Sequence, residues 1–150
     1  MLTILKGDLF QSEAQTIVNT INCVGAMGKG IALEYKKKYP EMYTKYVSLC
    51  KNKQISIGKL WIYKTDNKWI LNFPTKDDWR NPSKIEYLIL GLEKFVTTYK
   101  NKGITSIAFP LLGANNGGLD PKLSLEVMVR YLKDLDIDVY IYDNQNMGEN

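Results

Sequence analysis

Two glycine-rich stretches, Asn22–Ala32 and Pro110–Asp120, each follow an apolar, strand-like run and precede a helix-like one. A unit of this kind constrains the fold more than any single residue does. Glycines let the chain turn tightly and approach a ligand closely, and the helix that follows begins with unpaired N–H groups and a partial positive charge. Successive loop N–H groups then converge on an anion. Two such units in 150 residues point to a layered α/β domain that holds a diphosphate between its loops.

Neither loop carries a standard nucleotide motif. The first is too short from Gly25 to Lys29 for a triphosphate-binding loop, and Gly30 stands where Ser or Thr would meet magnesium. The three-glycine dinucleotide spacing is also missing. Taken singly, either loop reads as a plain strand-to-helix turn. The small residues and uncharged amides of both together, Asn22, Asn115 and Asn116, favour binding.

Clusters of β-branched and aromatic residues predict strands at Leu2–Leu5, Thr16–Thr20, Lys59–Tyr63, Trp69–Phe73, Ser106–Pro110 and Asp138–Tyr142, with a hairpin turn at Thr65–Lys68. Helical periodicity predicts Ile31–Lys38, Glu41–Lys51, Ile85–Lys100 and Lys122–Leu135. In the third, Ile85, Leu88, Ile89, Leu92, Val96 and Tyr99 fall on one stripe, opened by Asn81-Pro82 or a Ser83/Glu86 capping box and closed by Gly103. Helices between strands place ligands at the carboxyl ends of the strands.

Composition narrows the chemistry. Histidine is absent and the two cysteines, Cys23 and Cys50, have no motif spacing. Ser–His and Cys–His catalysis, a disulfide framework and a zinc site are therefore not expected, and any activity should be metal-independent or use only weak oxygen ligands. No apolar run approaches the ~20 residues that span a bilayer, and the N-terminus reads as a strand rather than a signal peptide, so a cytoplasmic protein is expected. The net charge of +4 is uneven: residues 1–60 hold nine Lys against four acids. The run Lys36, Lys37 and Lys38 could line a phosphate backbone or form a solvated helix face.

Four segments carry a family likeness: Lys6–Leu9 after the first strand, Val18–Ala32, Asn72–Lys76 followed by Trp79 and Arg80, and Gly113–Asp120. Together they resemble the macrodomain, an ADP-ribose-binding fold, over nearly the whole chain. The resemblance implies an α/β fold, a three-layer α/β/α sandwich with a central mixed sheet. Residues 1–150 would form a single macrodomain, with 144–150 a frayed tail. It lies with the DNA ADP-ribosyl glycohydrolase antitoxins of the DarG type and the related terminal ADP-ribose glycohydrolases.

Roles follow from the resemblance residue by residue. Asp8 would accept a hydrogen bond from the adenine amino group, the Leu9 backbone would support the ring, and Tyr142 would cover it. Gly25, Met27, Gly28, Lys29, Gly30 and Ile31 of the first loop would cradle the diphosphate with Gly113, Ala114, Asn115, Asn116, Gly117, Gly118 and Leu119 of the second. Gly117 is also a position where a positive φ is expected. Asn22 would meet the distal ribose, Thr75 would line the site, and Lys76 would be catalytic. An amine near an acetal carbon can act as a nucleophile or, when charged, stabilise the departing group. Without the resemblance, Asp8 reads as a helix N-cap, Tyr142 as a core aromatic and Lys76 as a surface partner of Asp77 and Asp78.

One departure bears on the substrate. The eukaryotic terminal ADP-ribose glycohydrolases carry a catalytic Asp at the position of Gly117, and Asp120 is three residues on. The Gly117–Asp120 pattern fits the DarG type. The resemblance therefore implies an ADP-ribosyl glycohydrolase that frees a DNA base, without cofactor or metal, as a monomer acting against a DNA ADP-ribosyltransferase toxin. An ADP-ribose 1''-phosphate phosphatase and a non-catalytic ADP-ribose reader are the alternatives.

Overall fold

A computed structural model describes residues 1–145. Six strands, β1 (Leu2–Leu5), β2 (Thr16–Asn22), β3 (Trp61–Lys64), β4 (Trp69–Lys76), β5 (Ser106–Pro110) and β6 (Asp138–Tyr142), form one sheet in the order β1-β6-β5-β2-β4-β3. All neighbours are parallel except β3 and β4, the predicted hairpin. Its turn is closed by the Thr65 N–H donating to the Lys68 carbonyl at 2.9 Å and the Lys68 N–H donating to Thr65 Oγ1 at 3.0 Å.

Period-two alternation sorts the strand side chains onto two faces. Val18, Leu71, Phe73, Ile107, Phe109, Val139 and Ile141 pack under α3 (Ile85–Lys102) and α4 (Pro121–Leu132). Ile17, Ile21, Ile70 and Ala108 pack under α1 (Gly30–Lys38) and α2 (Pro40–Lys51). The result is the three-layer sandwich with a mixed central sheet.

The differences from the predicted boundaries have local causes. β3 starts at Trp61 because Lys59 is held in a turn, its N–H on the Ser56 carbonyl at 3.1 Å. β4 runs three residues past Phe73, through Pro74, because β3 pairs with it only as far as Asn72 while β2 continues alongside to Lys76. The expected cap of α3 is absent: Lys84 is the N-cap residue and makes no side-chain capping bond, while the Ser83 N–H donates to the Gly117 carbonyl at 2.8 Å. Gly103 ends α3 in the left-handed conformation, as expected. The frayed tail expected at 144–150 falls partly on residues 146–150, outside the described residues. Asn144 is not frayed: its amide clamps Gly7, accepting from the N–H and donating to the carbonyl, both at 2.9 Å.

Gly91 shows how tightly α3 lies on the sheet. A Cβ there would sit 2.2 Å from Cζ of the fully buried Phe73. Alanine gains about 1 kcal/mol of helix propensity over glycine, but overpacking a filled core costs about 1–3 kcal/mol or more. Gly91→Ala is expected to lower the melting temperature measured by calorimetry; an increase would show that the helix can lift off Phe73 without cost.

Candidate active site

The carboxyl ends of β1, β2, β4, β5 and β6 open into one cleft of about 1060 Å³. Of the nineteen residues expected at the site, fifteen line it: Asp8, Leu9, Asn22, Gly28, Lys29, Gly30, Ile31, Thr75, Lys76, Gly113, Ala114, Asn115, Asn116, Gly117 and Tyr142. Gly25, Met27, Gly118 and Leu119 do not, and each serves the loop from behind. Gly25, at φ +87, turns the chain over α2, where a Cβ would meet Cys50 at 3.7 Å. Met27 is buried beneath the first loop against Asn19. Gly118 closes the second loop at φ +80, and the Leu119 N–H donates to the Gly113 carbonyl at 2.9 Å.

The first loop is organised by Asn22. Its Oδ1 accepts from the N–H groups of Val24 and Ala26, at 3.1 and 3.3 Å, and from the Tyr46 hydroxyl at 2.8 Å, while Nδ2 donates to the Ala26 carbonyl at 2.7 Å. Cys23 ties the same loop to the exit of β4 through its N–H on the Asp77 carbonyl, at 3.2 Å. Burial, then the Asp77 carboxylate and Cys50, push the Cys23 thiol up to about 12, so it stays protonated and is no nucleophile.

Beyond this anchor, α1 starts bare. Lys29 caps it without a side-chain bond, and its first backbone bond is Leu33 N–H to the Lys29 carbonyl at 3.3 Å. The N–H groups of Gly30, Ile31 and Ala32 therefore have no helical acceptor and sit at the cleft. Gly28 faces open space, with nothing within 4 Å of where its Cβ would be. The two loops meet here: a Cβ on Gly30, at φ +58, would be 2.6 Å from the Asn116 amide.

The second unit departs from expectation. The first two residues of its helix, α4, offer the cleft no donor, because Asp120 accepts from the Lys122 N–H at 3.0 Å and Pro121 has no N–H, and Leu123 does not line the cleft. The N–H groups that could meet an anion on this side are those of the loop alone. The N–H groups of Gly117, Gly118 and Leu119 are spent on Ala114, Asn115 and Gly113, and those of Ala114, Asn115 and Asn116 find no protein acceptor among the described residues. Gly117 does not have the expected positive φ; what excludes a side chain there is Ser83, whose Oγ would lie 2.8 Å from a Cβ. Gly117→Val should push the loop off Ser83 and lower ADP-ribose affinity at least about tenfold by calorimetry, the factor that 1.4 kcal/mol of strain gives. Unchanged affinity in a folded protein would take this loop out of the site.

At the end beside β1 and β6, Asp8 Oδ1 accepts from the Phe10 N–H at 2.9 Å, so the N-cap reading holds and the second carboxylate oxygen remains for another donor. Half-buried Tyr142 lies over Gly7, its ring carbon 3.8 Å from where a Cβ would be. At the opposite end, the register of β2 on β4 slips: Ile21 pairs with Pro74 but Asn22 with Lys76. The bulge at Thr75 thus sets Lys76 opposite Asn22. Lys76 is not the partner of Asp77 or Asp78 among the described residues; its Nζ donates to the Trp79 carbonyl at 3.4 Å. The Asp78 carboxylate is taken by Arg80, Nε to Oδ1 at 2.9 Å and Nη2 to Oδ2 at 2.6 Å, which holds its carboxyl down at about 2.

Several lining residues have no role in the sequence reading, among them Phe10, Glu34 and Asn144, and Trp79 and Arg80 enter it only as part of the motif. Glu34 had a signal, since it stands four residues after Gly30 and so on the same helix face. Of the lysine run, Lys36 lies over Tyr43 at 4.3 Å and Lys38 over Phe10 at 4.9 Å. No group of three or more Cys, Asp or Glu gathers to hold a metal among the described residues, and no helix there is long and apolar enough to cross a membrane.

A family model described as Macro domain matches residues 18–128. The DNA ADP-ribosyl glycohydrolase of Mycobacterium tuberculosis is 44% identical over 147 residues, covering 95% of this chain and 42% of that protein. The chain thus spans about two fifths of that relative's length. The solved macrodomain of Mycobacterium tuberculosis DarG superposes with a TM-score of 0.91 at 44% identity, covering 95% of this chain and 97% of the other. Thermosipho africanus DarTG in complex with ADP-ribose superposes at 0.90 with 38% identity, over 94% of this chain and 41% of the other. With the six-stranded sandwich and the cleft at its strand ends, these matches show that the chain belongs to the macrodomain family.

Proposed function

We propose that this macrodomain binds ADP-ribose along the cleft and hydrolyses the glycosidic bond that joins it to a DNA base. The observation that carries the reading is the strand bulge that puts Lys76 opposite Asn22 at one end of the cleft, with Asp8, Leu9 and Tyr142 at the other. Between them lie the free N–H groups of α1 and the second loop, a cradle for a diphosphate. Adenine then sits at Asp8 and Tyr142, the distal ribose at Asn22, and its anomeric carbon within reach of Lys76. Cleavage breaks the bond from that carbon to the base; water supplies the oxygen to the sugar and the proton to the base.

The name of the Mycobacterium tuberculosis relative supports the DNA substrate. A Thermosipho africanus relative is named as a DNA ADP-ribosyl transferase fused to a DNA ADP-ribosyl glycohydrolase. That pairing supports a DNA ADP-ribosyltransferase as the source of the substrate and an antitoxin role in the cytoplasm. The test is a product assay, with a chelator present, on oligonucleotides carrying ADP-ribose on thymine or guanine, beside an ADP-ribosylated protein. Free ADP-ribose and unmodified oligonucleotide are the expected products. Release of phosphate from ADP-ribose 1''-phosphate alone, or tight binding with no product from any linkage, would overturn the reading.

A further inference from the structure

Trp79 is 54% exposed although it is among the largest apolar side chains of the protein, and it lines the cleft at the Lys76 end. Its surroundings are built rather than loose. The Asp78 carboxylate accepts from the Arg80 backbone N–H at 3.0 Å as well as from the guanidinium, and the Asn81 N–H donates to the Asp78 carbonyl at 3.0 Å. The guanidinium carbon of Arg80, fixed by that fork, lies 5.7 Å from the Trp79 ring centre. The Trp79 carbonyl accepts from Lys76 Nζ. An indole ring and a clamped guanidinium therefore border the point where the scissile bond would lie, and neither has a part in the ADP-ribose contacts proposed above.

Resting on the function proposed above, we infer that Trp79 is a stacking platform for the DNA base that carries the ADP-ribose, with Arg80 as its rigid edge. Whatever is attached to the anomeric carbon leaves the cleft past Lys76, and the surface it meets is Trp79. A nucleobase offers a flat π-face that an indole can cover, whatever the base. A carboxylate ester of a protein side chain has no such face and gains little there, so the platform selects base-linked over protein-linked ADP-ribose. Stacking on Trp79 also requires the base to be out of its helical stack, as in a single strand or a flipped nucleotide.

The test is equilibrium binding in the Lys76→Ala background, where turnover should be about 10²–10⁴ times slower, with the ligand verified intact at the end of each measurement. Free ADP-ribose is compared with a thymidine and a guanosine nucleoside carrying ADP-ribose on the base, with Trp79, Trp79→Phe and Trp79→Ala. With Trp79 the modified nucleosides should bind about tenfold more tightly than ADP-ribose, at the low end of base-on-aromatic stacking. Phe should keep most of that gap and Ala should close it, with ADP-ribose affinity changed less than about twofold. A gap that ignores Trp79, or an equal loss of ADP-ribose binding in Trp79→Ala, overturns the platform. Failure of the two proposals is distinguishable: wild-type protein with no turnover of modified DNA but an intact gap defeats the hydrolase reading alone, whereas turnover without a Trp79-dependent gap defeats the platform alone.

Discussion

Lys76→Ala is expected to bind ADP-ribose nearly as well as the wild type while turning over modified DNA about 10²–10⁴ times more slowly, the range for loss of a positioned catalytic group. Binding should survive because the proposed diphosphate cradle consists of backbone N–H groups of α1 and the second loop, none of which depends on this side chain. The one hydrogen bond lost, to the Trp79 carbonyl, is exposed and water replaces it. Lys76→Arg then separates two mechanisms. Arginine keeps a positive charge but is never deprotonated, so it cannot attack the anomeric carbon or form an imine with an opened ribose. Activity restored by Arg assigns electrostatic stabilisation of the departing base; an Arg variant as slow as Ala fits a nucleophilic amine. Near-wild-type hydrolysis by a folded Lys76→Ala protein would remove this lysine from the mechanism.

That Lys76 stands opposite Asn22 could not be read from local sequence, and the reason is physical. The clustering of β-branched and aromatic residues that makes Leu2–Leu5, Ser106–Pro110 and Asp138–Tyr142 legible to the residue is a property of one strand. The bulge at Thr75 is a property of two strands in register, and Pro74 hid it by suggesting that β4 had already ended. The glycines divide in the same way. Their density marked both loops, but only contacts show that Gly28 faces the open cleft while Gly117 is hemmed in by Ser83. The start of α4 differs from expectation for another cause: Asp120 takes the Lys122 N–H and Pro121 has none, so its first two residues leave a phosphate no donor. By sequence Asn144 looks like tail, because polar residues after a last strand usually fray, whereas the clamp on Gly7 holds it at the cleft.

Asn22→Ala is expected to do more than disturb the distal ribose, because its amide joins the Val24 and Ala26 N–H groups and the Ala26 carbonyl within one turn of chain and ties them to the Tyr46 hydroxyl of α2. Tyr46 keeps its bond to the Asn22 carbonyl at 2.7 Å, and half-exposed Val24 can turn to water, so the domain should still fold with a loss of about 2–3 kcal/mol for the remaining bonds. The loop, however, loses the tether that aims Gly28 and the start of α1 at the ligand. Each 1.4 kcal/mol of lost preorganisation is tenfold in affinity, so ADP-ribose should bind about 10–100 times more weakly. AMP, which reaches the Asp8 and Tyr142 end but not the distal ribose, should lose less, and turnover of modified DNA should fall by more than either. Calorimetry with both nucleotides beside the product assay reads the ordering. If ADP-ribose and AMP weaken equally, the amide acts on the whole cleft and the ribose contact is not needed to explain it; if ADP-ribose binding holds while turnover falls, Asn22 acts on the reacting sugar and the loop stands without its tether.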